Sequence, residues 1–314
     1  MRWIDGHCDV LYKMWQGEHP PSFYEPSGEL DVTYPGARSA GLNMQVFAIF
    51  VPPELPRSQT WEAALKQVDL FYEQVIQDGQ KVVHIQSGND LSLLKKGGKL
   101  GGLLALEGAD SLQGDLGHLR LLYRLGVRQV GLTWNYANEA ADGIMEERNG
   151  GLTRFGRELL TEMKRLQMIL DVSHLSVKGF WEVVEDESIP VIASHSNCRS
   201  LCSHVRNLDD QQIQALIKRK SLIGITFVPK FVHNDPNQAT VDDLFRHIDH
   251  ICNLGGENCI AFGSDFDGID EKIPGLEDTE KLDSFRGELL KRYSQSWVDQ
   301  WTHENWYKFY LTHI

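Results

Sequence analysis

Short, nearly continuous apolar runs recur along the chain, and amphipathic segments separate them. We identify eight such runs, at residues 3–9, 43–51, 100–107, 128–134, 168–174, 190–195, 222–228 and 259–265. Strands that are covered by helices lose the apolar–polar alternation of a half-exposed strand. The pattern therefore predicts eight parallel strands.

The segments between these runs carry helical signals. Apolar residues repeat at helical spacing over 119–125 and 157–166. The segment 209–220 begins with an acidic turn and ends with basic residues, which suits the helix dipole. The segment 242–254 leads into two glycines, a common end for a helix. After Asp265 we expect an acidic loop and then helix to the end of the chain.

Strands that alternate with helices predict an α/β fold, either a (β/α)8 barrel of the TIM type or an open doubly wound sheet. The positions of polar side chains distinguish the two. A metal-binding or acid–base side chain ends six of the eight runs, and a barrel gathers many strand ends at one face. We predict a single catalytic barrel domain over 1–314, with the irregular segments 12–41 and 136–151 over its mouth.

Composition narrows the possible partners. The 314 residues include 31 Lys and Arg against 44 Asp and Glu, a formal net charge of −13. Because a nucleic-acid-binding protein normally has a basic face, nucleic acid is not an expected partner. No run approaches the ~18 apolar residues of a membrane span, so a membrane is not expected either.

The cysteines and the first residues suggest a compartment. Five cysteines (Cys8, Cys198, Cys202, Cys252 and Cys259) are an odd number, and none forms a CxxC pair. We therefore expect no disulfide framework and a reducing environment. The chain starts without an apolar run of signal-peptide length, and we expect a cytoplasmic protein.

The first candidate chemistry lies at the ends of two predicted strands. Strand alternation puts His7 and Asp9 on one face, although alone this pair favours a strand-end histidine beside a turn-forming aspartate. Glu107 follows four apolar residues, and a buried carboxylate must be paired or bind a cation. A salt bridge to Arg128 is the alternative for Glu107.

Three further candidates end later strands. His174 and His195 each follow a serine and are 21 residues apart (195 − 174), about one strand–helix unit, so their imidazoles should lie side by side. Neutral histidine is a common zinc ligand. Asp265 ends the last strand, with a simple turn as its alternative role. Two metal ions that share a bridging carboxylate, plus an acid for the attacking water, account for the complete set: His7, Asp9, Glu107, His174, His195 and Asp265.

As an ordered set, these motifs resemble the membrane (renal-type) dipeptidase family of the amidohydrolase superfamily, in its soluble bacterial form. The resemblance covers nearly the whole chain. It is carried by D-G-H-C-D at 5–9, E-G at 107–108, L-G-V-R…L-T-W-N from 125 to 135, D-V-S-H at 171–174, S-H-S at 194–196, R-N-L-D-D at 206–210, H-I-D-H-I at 247–251 and G-S-D-F-D-G at 263–268.

The resemblance implies a binuclear zinc dipeptidase with two zinc ions per chain. One zinc would be held by His7, Asp9 and Glu107, and the other by the bridging Glu107 with His174 and His195. It implies that Asp265 holds and deprotonates a metal-bridging water, and that the resulting hydroxide attacks the amide bond of a dipeptide. Arg206 would bind the free C-terminal carboxylate of that substrate.

Two features depart from the family pattern. Members close to the mammalian enzyme have a histidine after the Leu-Thr of the fourth strand, and it helps to bind the oxyanion. This chain has Trp134 followed by Asn135, which we assign to substrate binding, and the oxyanion donor is left open. The disulfides and the lipid anchor of those members are not expected here. Glu139 and Asp142, on the fourth loop, could contact an amino group, but a solvated position is favoured for both.

Other residues favour structural roles. His247 and His250 lie three positions apart on a predicted helix, where packing is favoured over zinc binding. Cys198 and Cys202 are expected to be small apolar residues. A final set of aromatic residues recurs at helical spacing and predicts core packing or the contact of a possible homodimer: Trp297, Trp301 and Trp306.

Two alternatives to the dipeptidase remain. One is another metal-dependent amidohydrolase on the same barrel, acting on a lactone, a cyclic amide or an ester. Such relatives often use a carboxylated lysine, and no lysine ends a suitable strand here. The other is a catalytically silent metal-binding scaffold, against which the presence of both Asp265 and Arg206 argues.

Overall fold

The computed structural model describes residues 2–26, 28–95 and 97–314. Its central feature is a sheet of parallel strands. They are β1 (Trp3–Cys8), β2 (Leu42–Phe50), β3 (Val82–His84), β4 (Leu100–Glu107), β5 (Val127–Gly131), β6 (Ile169–Asp171), β7 (Val191–Ala193), β8 (Leu222–Ile225) and β9 (Ile260–Phe262). The hydrogen-bonded order is β1-β2-β4-β5-β6-β7-β8-β9, and β3 pairs with the first residues of β4.

The sheet curves until its first and last strands meet. Just beyond β1, the backbone N–H of Asp9 donates to the carbonyl of Phe266 over 2.8 Å, and the N–H of Asp265 donates to His7 over 3.2 Å. Eight strands thus form a nearly closed parallel barrel. The predicted TIM-type (β/α)8 fold is confirmed.

Helices connect the strands, and all but the last, α13, lie around the outside of the barrel. They are α1 (Val10–Gln16), α2 (Tyr34–Ser39), α3 (Arg57–Leu70), α4 (Gly88–Leu94), α5 (Leu116–Arg124), α6 (Arg154–Arg165), α7 (Val177–Val184), α8 (Asp210–Lys218), α9 (Pro229–Val232), α10 (Val241–Asn253), α11 (Leu282–Arg292), α12 (Gln295–Asp299) and α13 (Asn305–His313). Among the described residues, no helix has both the length and the apolar character that crossing a membrane requires.

Local sequence explains where these helices begin. The side chain of Thr153 accepts a hydrogen bond from the N–H of Gly156 at the start of α6. At the start of α8, Asp209 and Gln212 form a reciprocal capping box. Such caps satisfy backbone N–H groups that have no partner inside the helix.

The interior of the barrel is filled from one end by α13. Trp306 and Tyr310 are fully buried and join an apolar cluster of strand residues that includes Ile4, Ile169 and Leu222. These strand residues come from the starts of β1, β6 and β8. The helix therefore closes the end of the barrel that is opposite to the strand ends. Trp301 is also buried, so the core role is confirmed for two of the three tryptophans.

All eight predicted strands are present, but most end earlier than predicted. The chain leaves the ladder as it enters the barrel mouth, where both His174 and Asp265 adopt a left-handed backbone with φ of 67°. The short strand β3, which pairs with the start of β4, was not predicted. The segment 12–41 is less irregular than predicted, because α1 and α2 lie in it.

Candidate metal centre

The six candidate metal and acid–base side chains meet at the C-terminal end of the barrel. Their side chains are between 1% and 15% exposed, His195 being the most buried and Asp265 the least. His7 belongs to β1 and Glu107 ends β4, while the others follow directly after their strands. The structure thus brings together the complete set that the sequence predicted.

Glu107 lies between two groups of these side chains. Its Oε1 is 2.9 Å from Nε2 of His174 and 3.5 Å from Nε2 of His195. Its other oxygen, Oε2, is 3.7 Å from Nε2 of His7. The alternative salt bridge is wrong, because the guanidinium of Arg128 donates to backbone carbonyls instead. One carboxylate therefore presents a different oxygen to each group.

Each group has the composition of a metal site. Glu107, His174 and His195 offer ligand atoms that lie within 4.8 Å of one another. The same holds for His7, Asp9 and Asp265. Imidazole nitrogens and carboxylate oxygens are the ligands that zinc takes from proteins besides thiolate.

The hydrogen bonding of His174 leaves a lone pair directed into the first group. Nδ1 of His174 lies 2.8 Å from Oδ1 of Asn135, which can only accept, so the ring proton is on Nδ1. Burial lowers the pKa of His174 well below its usual range, so Nε2 carries a lone pair. That lone pair faces the Glu107 carboxylate, and a proton or a metal ion must lie between two such acceptors. The donor set fits a metal ion.

Electrostatics around His7 lead to the same conclusion for the second group. Both ring nitrogens are buried without a hydrogen-bond partner. Burial alone would lower the pKa of His7, but the charges of Glu107, Asp9 and Asp265 outweigh it and raise the pKa to about 10. Burial also raises the pKa of Asp265 to about 7. Converging carboxylates therefore favour positive charge at this point.

A cavity of about 110 Å³ opens onto these side chains. Trp134 and Asn135, which the sequence assigned to substrate binding, both line it. The ring of Trp134 packs against Phe50 with centroids 5.3 Å apart, so the two form an aromatic wall. Asn135 has a second role, because its side-chain oxygen fixes the ring of His174.

Arg206 lies behind the candidate metal ligands rather than in the wall of this cavity. It is 4% exposed, and its Nη2 donates to the carbonyl of His195 over 3.0 Å. Its Nε is buried without a partner, and its guanidinium lies over the ring of Phe231. Burial lowers the pKa of Arg206 to about 10, although Asp265 and Glu107 act in the opposite direction.

The structure adds two residues that sequence reasoning missed. Lys230 is an exposed cation that lines the metal-site cavity and an adjoining cavity of about 370 Å³. The sequence signal that could have identified Lys230 is a basic residue shortly after the end of β8. Asp171 ends β6, and a carboxylate oxygen of it lies within 4.8 Å of ligand atoms of His7 and His195. The motif D-V-S-H at 171–174 was used in the sequence analysis, but no role was assigned to its aspartate.

Residues outside this centre mostly have the expected structural roles. His247 accepts from the N–H of Cys198 and contacts the carbonyl of Val232, so the packing role is confirmed. The expectation for Asp142 is wrong. Its carboxylate is 3% exposed and ion-paired with Arg148, because the fourth loop folds back on itself.

Comparison with known proteins agrees with this geometry. Residues 1–310 match the family described as membrane dipeptidase, peptidase family M19. The chain belongs to this family. A curated member of similar sequence is the dipeptidase tcpJ of Claviceps purpurea, 33% identical over 231 residues. That match includes 72% of this chain but 54% of the relative, so the chain spans about half the length of that protein.

Solved structures of the same kind superpose over the whole chain. A metallopeptidase of Rhodobacter sphaeroides, liganded with a phosphinate mimic of the dipeptide L-Ala-D-Ala, has a TM-score of 0.91 at 24% identity, over 100% of this chain and 99% of that one. The dipeptidase AC, a metallopeptidase of family M19, has a TM-score of 0.90 at 26% identity, over 100% and 98% of the two chains. These matches support the barrel fold of the M19 family.

Proposed function

We propose that this member of the M19 family is a binuclear zinc dipeptidase that acts on dipeptides with a free C-terminal carboxylate. The observation that carries the proposal is the position of Glu107, which presents one oxygen to His174 and the other to His7. A carboxylate in this position suits a bridge between two metal ions. The dipeptidase activity of the curated relative supports the choice of substrate.

The ligand sets follow from the two groups around Glu107. His7, Asp9 and Glu107 would hold one zinc ion, and Glu107, His174 and His195 the other. When bound, two such ions would activate a water molecule and polarise the carbonyl of the scissile amide. The chain's own residues must then orient the substrate and move the proton.

Asp265 is proposed as the general base. Its Oδ1 lies 3.7 Å from Nε2 of His7, and its side chain lines the cavity that would receive the amide. In the protein without metal, burial raises the pKa of Asp265 to about 7. Two bound cations would lower this pKa and favour the ionised carboxylate, which is the form that accepts a proton. Asp265 would take the proton from the attacking water and deliver it to the leaving amine nitrogen.

Two cations are candidates for the terminal carboxylate of the substrate. The planar guanidinium of Arg206 suits bidentate binding of a carboxylate, and its buried Nε has no partner. Lys230 lies on the cavity wall and is the alternative. Trp134 and Asn135 would form the remaining wall around the substrate.

A dipeptide panel with a metal assay tests the proposal. The panel contains L,L-dipeptides, their C-terminal amides and L-Ala-D-Ala, whose mimic is bound in the Rhodobacter sphaeroides relative. We expect close to two equivalents of zinc per chain and much faster cleavage of the free acids. A protein without metal, whose activity survives chelation, contradicts the proposal. Preference for a lactone or a neutral ester would favour the alternative amidohydrolase.

Matched variants assign the carboxylate. A charge-assisted hydrogen bond contributes ~1.5–3 kcal/mol, or about 10- to 150-fold in binding. We expect Arg206→Ala to remove most of the preference for acid over amide, and Arg206→Lys to restore part of it. Lys230→Ala is the control. If Lys230→Ala removes the preference and Arg206→Ala does not, the assignment moves to Lys230.

A further inference from the structure

Five buried polar side chains form a continuous chain of hydrogen bonds through the barrel. It leads from α13, at one end of the barrel, to a candidate zinc ligand at the other. None of the five is more than 6% exposed. We call them the buried polar chain: Tyr310, Gln129, Asp171, Ser194 and His195.

The contacts connect each member to the next. The Tyr310 hydroxyl donates to Oε1 of Gln129 over 3.1 Å. Nε2 of Gln129 donates to Oδ2 of Asp171 over 3.3 Å, and the hydroxyl of Ser194 donates to the same oxygen. Oγ of Ser194 lies 2.7 Å from Nδ1 of His195.

Counting hydrogens along this chain fixes the tautomer of His195. Asp171 accepts at both oxygens, since its Oδ1 also receives the backbone N–H groups of Ser173 and Ser194 at 3.0 Å each. A hydroxyl has one hydrogen, and that of Ser194 is directed at Asp171. Oγ of Ser194 must therefore accept from His195, which places the ring proton on Nδ1.

The consequence lies at the other ring nitrogen. With its proton on Nδ1, His195 presents a lone pair at Nε2, which faces Oε1 of Glu107 at 3.5 Å and Nε2 of His174 at 2.8 Å. The opposite tautomer would direct an N–H at these atoms and could not bind a metal ion. Hydrogen bonds of this kind are known to orient metal-bound histidines.

We propose that Ser194 and Asp171 are positioning residues that hold His195 in its metal-binding tautomer, and that Gln129 and Tyr310 hold Asp171. Helix α13 thereby adjusts the zinc affinity of a centre at the opposite end of the barrel. The proposal rests on the proposed zinc centre in one respect, that the lone pair on Nε2 of His195 binds a zinc ion. The proton on Nδ1 is itself a property of the protein without metal, in which the Nε2 atoms of His195 and His174, 2.8 Å apart, share a further proton between them.

The tautomer is measured in the metal-free protein by long-range ¹H–¹⁵N NMR of ring-labelled histidine. The His195 signals are assigned by their loss in a His195→Asn variant. We expect a proton on Nδ1 of His195 in the wild type, whether or not Nε2 shares a proton with His174, and only partial occupancy of that Nδ1 proton in Ser194→Ala. A ring that carries a proton on Nε2 and none on Nδ1 in the wild type would overturn the proposal, whether or not zinc binds.

Zinc affinity, measured by competition with a chromogenic chelator, tests the serine. Changes in residues that hydrogen-bond a metal ligand typically cost 10- to 100-fold in affinity. We expect a loss of that size in Ser194→Ala and recovery of most of it in Ser194→Thr, which keeps the hydroxyl. Ser111→Ala is the matched control, because Oγ of Ser111 is buried without a partner. An equal loss in both alanine variants would indicate a general packing effect and overturn the role of Ser194.

Two tyrosines on α13 provide the test at the far end of the buried polar chain. Tyr310→Phe removes the hydroxyl that holds Gln129, whereas Tyr307→Phe removes a buried hydroxyl that has no hydrogen-bond partner among the described residues. We expect zinc affinity to fall about 2- to 5-fold in Tyr310→Phe, the effect of about one neutral hydrogen bond, and to stay unchanged in Tyr307→Phe. Equal affinities in the two variants would overturn the role of α13. If the wild type binds no zinc at all, the proposed function fails while the NMR result still decides the tautomer.

Discussion

Gly268 leaves free the space that the side chain of Asp9 occupies, because a Cβ atom at position 268 would overlap Oδ2 of that carboxylate. The same Cβ would lie 2.9 Å from Oδ1 of Asp265. The candidate zinc site therefore requires glycine at position 268. Gly268 lies in the same loop as Asp265, a few residues further along the chain.

We expect Gly268→Ala to displace Asp9 and to lower the zinc content. Gly287→Ala is the control, since a Cβ there, within α11, has no atom within 4 Å. That change should leave zinc unaffected and stabilise the fold by ~0.5–1 kcal/mol. Elemental analysis and thermal unfolding of both variants provide the measurement. Normal zinc content in Gly268→Ala would show that Asp9 does not bind the metal in the position described.

Substitution of the bridging carboxylate should differ in kind from substitution of a terminal ligand. Glu107→Gln removes a charge that both groups share, so we expect zinc to fall below one equivalent per chain. His195→Ala affects one group, and about one equivalent should remain. Glu25→Gln, at an exposed glutamate, is the charge-matched control. Two zinc ions and full turnover in Glu107→Gln would leave Glu107 with a purely structural role.

Asp265→Asn separates proton transfer from metal binding. The left-handed backbone at this position, with φ of 67°, is one that asparagine tolerates, so the loop should keep its shape. We expect zinc to remain bound and turnover to fall ~10²- to 10⁴-fold, the usual effect of removing a general base. A rate close to that of the wild type, with metal in place, would assign the base to another group.

Part of a pH-dependent loss of stability should come from His247, which is not one of the candidate metal ligands. Burial lowers the pKa of His247 to about 4. Between pH 6.5 and 4 the unfolded chain therefore binds a proton that the folded protein does not, and the free energy of unfolding decreases as the pH falls. The difference from the ordinary pKa of about 6.5 corresponds to at most ~3 kcal/mol.

Urea unfolding at several pH values measures this contribution. We expect His247→Gln to lose less stability than the wild type between pH 6.5 and 4. His19→Gln, which changes an exposed histidine, should follow the wild type. If the free energy of unfolding depends on pH in the same way in all three proteins, His247 gains a proton without destabilising the fold.

The strands and the ligand set were predictable because their signals are local. An apolar run that ends in a lone polar residue, such as the one before Glu107, defines both a buried strand and its exit into a cavity. Because the C-terminal ends of all strands in a barrel meet at one face, these distant residues could be placed together before their contacts were known. The two serine–histidine pairs identified adjacent strands in the same way.

What sequence reasoning missed depends on the path of the loops. Asp142 is buried because Arg148 and the N–H of Gly150 turn back onto it. Lys230 lines the cavity because α9 begins immediately after β8. The side-chain contacts of Arg206 likewise depend on how its loop packs against the carbonyl of His195. A cytoplasmic location and a homodimer stay predictions.

Closure of the barrel between β1 and β9 depends on contacts between the two ends of the chain, and long-range contacts of this kind favour slow folding. Asp5 holds the N–H of Ser264 over 2.7 Å, a contact between residues 259 positions apart. Contacts of such sequence separation are formed late, because the entropy lost on closing the loop comes before the gain. Until residues 260–266 dock against β1, the edges of β1 and β8 lack the neighbour that they have in the closed barrel, and an unpaired strand edge favours association with other chains.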